Sequence, residues 1–230
     1  MQQFSSSVIQ FLNGLEFLYP ENVTVSQLKR TLHKFPQVEY AMVDAYSLGQ
    51  LKSKKWMIEN LPNDMGIVFI CAGWFGTLAG MMFEHIPDKF EKIRSFDIDP
   101  SCADVADNIN RPYVMDGWQF KASTLDIRKM TYPTTHETFR ANGTSLELTE
   151  MPNTIINTSC EHIEDFTQWY NNIPSGTIVA LQNNNYYEHD QHINCVPNLQ
   201  TFAEQTPMHV FYEGELSLTK YTRFMRIGMK

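Results

Sequence analysis

Residues 65–100 constrain the fold most, because they alternate between apolar runs and a small-residue turn in a fixed order. The apolar run 67–71 predicts a buried strand, and the stretch 77–85 predicts a helix. A second short strand is predicted over 93–98. The turn between the first strand and the helix is Ala72-Gly73-Trp74-Phe75-Gly76. Strand, glycine turn, helix and strand together predict a βαβ unit.

This βαβ unit has the features of a nucleotide-binding element. Small residues let the backbone approach a ligand, and the free N–H groups of a helix start bind negative or polar groups. Asp97 lies at the tip of the second strand, about 20 residues after Gly76. An acid at that distance is placed to accept hydrogen bonds from ribose hydroxyls. The segment therefore predicts a nucleotide-like ligand.

Two motifs in this region resemble those of the class I S-adenosylmethionine (SAM) dependent methyltransferases. FDIDP is similar to the strand-2 acid motif of that family, and ICAGWFG is similar to its glycine motif I. Motif I departs from the family pattern at two places. Ile70 lies near the position of the usual acid, and Trp74 or Phe75 replaces a small residue. The resemblance covers roughly residues 50–230, with later segments in the expected order.

The resemblance implies a three-layer α/β/α sandwich. Its sheet would be a mostly parallel, seven-stranded, Rossmann-like sheet with an antiparallel terminal strand, preceded by N-terminal helices. We divide the chain into an N-terminal helical extension, 1–62, and a methyltransferase-like domain, 63–230. The implied cofactor is SAM. The residues expected to bind it are Ala72, Gly73, Trp74, Phe75, Gly76, Asp97, Asp126 and Ser159.

Composition limits the classes of partner. A chain of 230 residues with a net charge of −8 lacks the clustered Lys and Arg that bind a nucleic-acid backbone non-specifically. We find no leader sequence and no apolar run long enough for a membrane helix, so we expect a cytoplasmic protein without membrane contact. The oligomeric state stays open. Four scattered cysteines fit free thiols: Cys71, Cys102, Cys160 and Cys195.

The remaining elements follow from apolar periodicity and from breakers. Helices are predicted over 3–18, from an N-cap at Ser26 to Pro36, over 48–61, after an N-cap at Asp99, and over 163–170. Further strands are predicted over 118–122, 154–157 and 177–182, with a final hairpin of 209–218 and 221–229. The stretch 129–150 lacks apolar periodicity. We interpret it as an irregular insertion, serving either as a lid over the site or as surface decoration.

Glu161 and His162 are the candidate catalytic residues. They follow the predicted fourth strand, and the unperturbed pKa of histidine suits a general base near neutral pH. Either residue could take the proton, or Glu161 could orient its neighbour. The structural alternative is a helix-start acid beside a histidine packed in the rim. Gln50, Ser53 and Lys54 could reach the amino-acid end of the cofactor.

A second polar segment, 183–195, follows the predicted fifth strand and is rich in amides and imidazoles. Asn183, Tyr186 and His192 are the candidate substrate-binding residues, because amides recognise carbonyl or amine edges by directional hydrogen bonds. A metal site is the rival interpretation. Its ligands would be His189, His192 and Cys195, with His162 or Glu161 nearby. The polar-loop interpretation is the one we adopt, and we assign no metal from the sequence.

The leading hypothesis is a SAM-dependent methyltransferase acting on a small molecule or a nucleotide. The first alternative is a non-catalytic or differently reactive protein on the same scaffold, suggested by the divergent motif I. The second is a Rossmann-type NAD oxidoreductase, suggested by the βαβ unit. The absence of GxGxxG and the terminal hairpin count against the second alternative.

Overall fold

The computed structural model describes residues 6–140 and 142–230. Its strands are β1 (Ile67–Cys71), β2 (Lys92–Asp97), β3 (Phe120–Thr124), β4 (Thr134–Phe139), β5 (Ser145–Glu150), β6 (Thr154–Asn157), β7 (Ile178–Asn184), β8 (His209–Ser217) and β9 (Thr222–Met229). Its helices are α1 (Ser7–Leu18), α2 (Val23–Lys34), α3 (Glu39–Ala45), α4 (Leu48–Asn60), α5 (Thr77–His85), α6 (Cys102–Ile109), α7 (Arg111–Met115), α8 (Phe166–Asn172) and α9 (Leu199–Gln205). No helix in this described part is long and apolar enough to cross a bilayer.

Seven of the strands form one sheet in the order β3-β2-β1-β6-β7-β9-β8. The first five run parallel to one another, and β9 pairs antiparallel with both β7 and β8. This arrangement confirms the predicted Rossmann-like sheet and its antiparallel end. The carboxyl ends of β2, β1, β6 and β7 share one edge, and the chain order reverses between β1 and β6. Ligands of open α/β sheets bind at such a point.

Helices cover both faces of this sheet, as the alternation of side chains in β1 illustrates. Val68 and Ile70 pack in one hydrophobic cluster with α4 and α5. Phe69 and Cys71 point to the opposite face and pack in a second cluster with Trp169 of α8 and Phe202 of α9. Burial on both faces explains why the strand reads as a continuous apolar run.

The first three helices form a third cluster that is joined to the domain through the glycine turn. Ile9 of α1, Leu32 of α2 and Met42 of α3 pack around Phe75 and Val105 of α6. Helix α4, by contrast, packs on the sheet itself. The division into 1–62 and 63–230 stays a prediction.

Two helix starts differ from the prediction. Helix α2 begins at Val23, since the Asn22 Oδ1 accepts a hydrogen bond of 2.9 Å from the Val25 N–H. The prediction of Ser26 as N-cap was therefore wrong. Helix α6 begins at Cys102 rather than directly after Asp99, whose carboxylate accepts from the Ser101 N–H in a turn. Residues 3–5 of the first predicted helix lie outside the described residues.

Other boundaries shift by two or three residues. The strand predicted over 118–122 is observed two residues later as β3, and the helix predicted from 163 begins at Phe166 in α8. The strands predicted over 154–157, 177–182 and in the final hairpin are confirmed as β6, β7, β8 and β9. End positions are the least well determined part of any element.

The stretch 129–150 is not irregular, and that prediction was wrong. It contains the antiparallel hairpin β4–β5. Alternate residues of β4 are buried, but they are Thr134, His136 and Thr138. Because the buried positions carry polar side chains, the sequence lacks the alternation of apolar and polar residues from which a strand is predicted.

Buried charge fixes the base of this hairpin to the sheet. The Arg94 guanidinium of β2 donates two hydrogen bonds to the Glu150 carboxylate, at 2.6 and 3.0 Å, and Lys92 lies 2.9 Å from the same group. The His136 Nδ1 lies 2.9 Å from the Ser123 Oγ. Burial would raise the pKa of Glu150, but hydrogen bonds from His136 and Arg94 hold it far below its ordinary value.

We expect Glu150→Gln to lower the free energy of unfolding by about 3 to 5 kcal/mol, because it removes the negatively charged partner of the buried Arg94. Urea denaturation followed by circular dichroism measures the change. Glu147→Gln is the matched control, since Glu147 lies on the same strand and is exposed. Equal stability of the two variants would show that the ion pair does not hold the hairpin.

Candidate active site

The glycine turn after β1 is fixed against β2 by backbone contacts. Ala72, Trp74 and Gly76 have positive φ angles of 54°, 48° and 70°. The Gly73 N–H donates to the Phe96 carbonyl at 2.9 Å. A Cβ on Gly73 would lie 2.1 Å from the Ser95 Oγ, so a larger residue here would displace the Ser95 hydroxyl.

Asp97 is tied to the same turn from the end of β2. Its Oδ2 accepts from the Trp74 N–H at 2.8 Å, and its Oδ1 accepts from the Asp99 N–H at 3.1 Å. Burial raises the pKa of Asp97, although these backbone hydrogen bonds oppose the shift. Each carboxylate oxygen can accept a second hydrogen bond. The half-buried carboxylate is therefore oriented and still able to bind a ligand hydroxyl.

The two bulky residues of the turn, Trp74 and Phe75, pack against the N-terminal helices. Phe75 is only 3% exposed and packs in the cluster with α1, α2 and α3. Trp74 stacks on Phe75 with ring centroids 4.8 Å apart and is half-buried. The Phe75 ring is thus a core group.

Two further predicted cofactor residues already have partners in the chain. Asp126 accepts two hydrogen bonds of 2.9 Å from the Arg128 guanidinium, which also bonds Glu164. The hydrogen bond from Arg128 lowers the pKa of Asp126. The Ser159 N–H donates to the Asn157 Oδ1 at 2.8 Å at the end of β6.

Glu161 is a buried carboxylate paired with an arginine that the sequence did not indicate. The Arg223 Nη1 lies 3.1 Å from the Glu161 Oε1 and 2.8 Å from the Thr158 carbonyl oxygen. Glu161 is 2% exposed, and its Oε2 has no hydrogen-bond partner among residues 6–140 and 142–230. Strand β9 brings Arg223 here, because its register places Arg223 opposite Asn184 of β7.

His162 and His192 lie beside Glu161, with their ring centroids 4.6 Å apart. The His162 Nδ1 lies 3.0 Å from the Gln191 carbonyl oxygen, and the His192 Nδ1 lies 2.8 Å from the Tyr186 carbonyl oxygen. Burial lowers the pKa of His192. One potential ligand atom from each of Glu161, His162 and His192 lies within 4.8 Å of the other two. These three residues are named the EHH cluster below.

The segment after β7 divides into groups that hold the loop and groups that face the cluster. Asn183 is fully buried and donates to the Asn194 carbonyl at 2.9 Å, while the Asn194 N–H donates to the Glu161 carbonyl. Asn183 thus supports the loop. Tyr186 is half-buried, and its ring lies edge-on to His192 with centroids 5.7 Å apart.

The metal ligands considered from the sequence are only partly brought together. The Cys195 Sγ lies 3.4 Å from the Asn184 Oδ1 and from the Tyr186 carbonyl oxygen, and burial raises its pKa to about 11. His189 stacks on His192 with centroids 4.6 Å apart. Within the described residues, the group of three that could hold an ion includes Glu161 rather than Cys195.

Lys54 of α4 is a buried amine near this site. Its Nζ donates to the Gln50 Oε1 at 2.7 Å, and the neighbouring Ser53 Oγ donates to the Gln182 Oε1 of β7 at 2.7 Å. Burial, aided by the charge of Arg223, lowers the pKa of Lys54 to about 7. A lysine in this state is partly neutral at physiological pH and so able to exchange a proton.

An open cleft of about 870 Å³ begins next to the EHH cluster. Ile163, which follows His162, and Ile193 and Asn194, which follow His192, line it together with the first part of α8. A smaller concavity of about 250 Å³ includes Asp126 and Arg128. Neither is lined by Asp97, by the glycine turn or by a residue of the EHH cluster.

Solved structures of methyltransferases share this fold. A putative methyltransferase bound to the Trm112 activator of Haloferax volcanii superposes with a TM-score of 0.57 and 11% identity, over 83% of this chain and 92% of that one. Mitomycin 7-O-methyltransferase MmcR superposes with a TM-score of 0.54 and 11% identity, over 87% of this chain and 60% of that one. The small RNA methyltransferase HEN1 superposes with a TM-score of 0.55 and 9% identity, over 80% of this chain and 25% of that one.

The chain has the class I methyltransferase fold. No protein-family model matches the sequence, and no curated protein sequence is significantly similar to it. Identities of 9–11% establish the fold alone.

We expect the buried Lys54 to make stability depend on pH. The unfolded chain holds this proton up to the ordinary pKa of 10.5, whereas the folded chain releases it above about 7. The wild type therefore gains stability as pH rises through this window. Relative to Lys54→Met, the free energy of unfolding should rise by about 2 kcal/mol between pH 7 and pH 8.5.

Denaturant titrations at several pH values in this range measure the difference. Lys52→Met is the control, because Lys52 lies two residues before Lys54 on the same helix and is exposed. Equal pH dependence of the free energy of unfolding in the wild type and in Lys54→Met would show that Lys54 keeps an ordinary pKa.

Proposed function

We propose that this chain is a SAM-dependent methyltransferase that acts on a small molecule or a nucleotide. The observation that carries the proposal is the carboxylate of Asp97. It lies at the end of β2, beside the switch point of the sheet, and is oriented by the Trp74 N–H of the glycine turn. An oriented acid at this place is suited to the two hydroxyls of a ribose.

On the cofactor side, the backbone of Ala72–Gly76 would approach the ligand where side chains are small. Three residues of this turn, Ala72, Trp74 and Gly76, have left-handed conformations. Ser159 lies at the adjacent end of β6, within reach of the same edge. Asp126 would have to share its carboxylate with Arg128 to bind the adenine amino group.

On the acceptor side, the EHH cluster follows β6 and β7, next to the turn of β1. Methyl transfer needs in-line alignment of the acceptor with the sulfonium methyl and removal of one proton. Glu161 or His162 would take the proton from the accepting atom. His192, whose ring adjoins that of His162, and Tyr186, whose ring adjoins that of His192, would contact the rest of the substrate. Asn183, being buried and bonded to Asn194, would act by holding this loop.

We infer a substrate of limited size from the open cleft that adjoins the loops of the EHH cluster, whose own three residues do not line it. A volume of about 870 Å³ is in the range of small-molecule sites, about 300–1,000 Å³. A net charge of −8 disfavours a long nucleic-acid footprint. The structural neighbours include enzymes described as an O-methyltransferase, a carbon methyltransferase and a small RNA methyltransferase, so their chemistry does not choose the accepting atom.

Sheet topology argues against the NAD oxidoreductase alternative. A dinucleotide-binding sheet of the classic order continues with parallel strands, whereas here β9 lies antiparallel between β7 and β8. Because motif I departs from the family pattern, a non-catalytic protein is the alternative that the binding experiment must test.

We expect both SAM and S-adenosylhomocysteine to bind with micromolar affinity, and Asp97→Ala to weaken both about 10- to 100-fold. This loss corresponds to about 1.5 to 3 kcal/mol for hydrogen bonds to a charged group. Isothermal titration calorimetry measures the affinities. Asp64→Ala is the matched control, because Asp64 is exposed and precedes β1 at the opposite sheet edge.

Thermal melts of both variants must show a folded protein before affinities are compared. Folded wild type that binds neither ligand would contradict the proposal and favour a non-catalytic protein. Unchanged affinity in Asp97→Ala would remove this residue from the cofactor site.

A further inference from the structure

We propose that the EHH cluster binds one divalent transition-metal ion through Glu161, His162 and His192. The potential ligand atoms of these residues lie within 4.8 Å of one another. Two imidazoles and one carboxylate form a ligand set found both at catalytic zinc sites and at non-haem iron sites. The residues come from two loops, one after β6 and one after β7, which the parallel sheet brings to a common edge.

The hydrogen bonds of both imidazoles leave their other nitrogens free for a metal. A carbonyl oxygen only accepts, so the Nδ1 of His162 and of His192 each carries the hydrogen in the neutral ring. Each Nε2 then presents a lone pair. Metal-binding histidines characteristically donate their second ring N–H to a carboxylate or a backbone carbonyl, which fixes the tautomer and the ring orientation.

The carboxylate supplies a second, independent observation. Glu161 is 2% exposed, and while Arg223 bonds its Oε1, its Oε2 has no partner among the described residues. Leaving a buried carboxylate oxygen without a hydrogen bond is costly. A cation at the EHH cluster would satisfy this oxygen, and Arg223 would hold the carboxylate in place for it.

The charge of the site indicates which class of ion it prefers. The Arg223 guanidinium offsets the single negative charge of Glu161, so affinity must come from the imidazole nitrogens more than from Coulomb attraction. Mg²⁺ and Ca²⁺ prefer sets of oxygen ligands, whereas Mn²⁺, Fe²⁺, Co²⁺ and Zn²⁺ accept imidazole. We therefore expect a first-row transition ion rather than an alkaline-earth ion.

The site is open to an exogenous ligand on one side. His162 is solvent-accessible, and the cleft lined by Ile163 and Ile193 begins at the next residues of both loops. Three protein ligands leave at least one position for water or substrate, as in catalytic metal sites. This step rests on the proposed methyltransferase function. With the ion bound, its open position would take an acceptor hydroxyl and lower the pKa of that hydroxyl, so that the ion, rather than Glu161 or His162, would activate the acceptor. The methyl group would then be transferred to an oxygen atom of the substrate.

The test uses the full-length protein after treatment with a chelator. Titration calorimetry with Zn²⁺ and Co²⁺ should show one ion per chain at micromolar affinity or tighter, with at least 100-fold weaker binding of Mg²⁺ and Ca²⁺. Glu161→Gln and His192→Ala should each weaken Zn²⁺ binding about 100-fold. His85→Ala is the matched control, because His85 is exposed at the far end of α5.

Cobalt spectroscopy separates this site from the cysteine alternative. The Co²⁺ complex should lack the thiolate-to-cobalt charge-transfer band, and Cys195→Ser should bind Zn²⁺ like the wild type. A thiolate band that disappears in Cys195→Ser would overturn the ligand assignment. Absence of Zn²⁺ and Co²⁺ binding, or binding unchanged in folded Glu161→Gln and His192→Ala, would overturn the site.

The metal site and the proposed function can be contradicted by separate results. SAM binding without metal binding would overturn this inference and leave the proposed function standing. Metal binding without SAM binding would support the metal site and contradict the proposed function. Glu161→Gln should retain the wild-type affinity for SAM, since the EHH cluster lies on the acceptor side of the glycine turn.

Discussion

The rest of the structure depends on a central parallel sheet that is buried on both faces. Val68 and Phe69 point to opposite sides of β1, and each lies in a hydrophobic cluster closed by helices. A strand such as β1, buried on both faces, carries apolar side chains along its whole length. Polar groups therefore collect where strands end, and the carboxyl ends of β2, β1, β6 and β7 bring Asp97, the glycine turn and the EHH cluster to one edge.

Buried charge is the second organising element, and it joins distant parts of the chain. The Arg94–Glu150 pair fixes the β4–β5 hairpin, and the Arg223–Glu161 pair links β9 to the loop after β6. Both arginines emerge from strands and satisfy carboxylates in neighbouring segments. Because removal of one partner leaves a buried charge unpaired, these pairs determine local conformation more firmly than surface ion pairs do.

The two halves of the site differ in how they are built. Asp97 and the glycine turn come from one continuous segment and hold each other through backbone hydrogen bonds. The acceptor side is assembled from α4, the loops after β6 and β7, and β9. Its groups are coupled, since Lys54, Glu161 and Arg223 influence one another electrostatically. A cation at the EHH cluster would alter this whole group rather than one residue.

The sequence by itself determined the βαβ unit, the position of Asp97, the apolar strands and the terminal hairpin, because local periodicity and turn residues specify these. It could not show the β4–β5 hairpin, whose buried residues are polar, nor the partners Arg223 and Lys54, which are distant in sequence from Glu161. Likewise, adjacency in the sequence suggested Cys195 as a metal ligand where folding groups Glu161 with two histidines. Only the tertiary structure decided these contacts, because strand register sets which distant side chains meet.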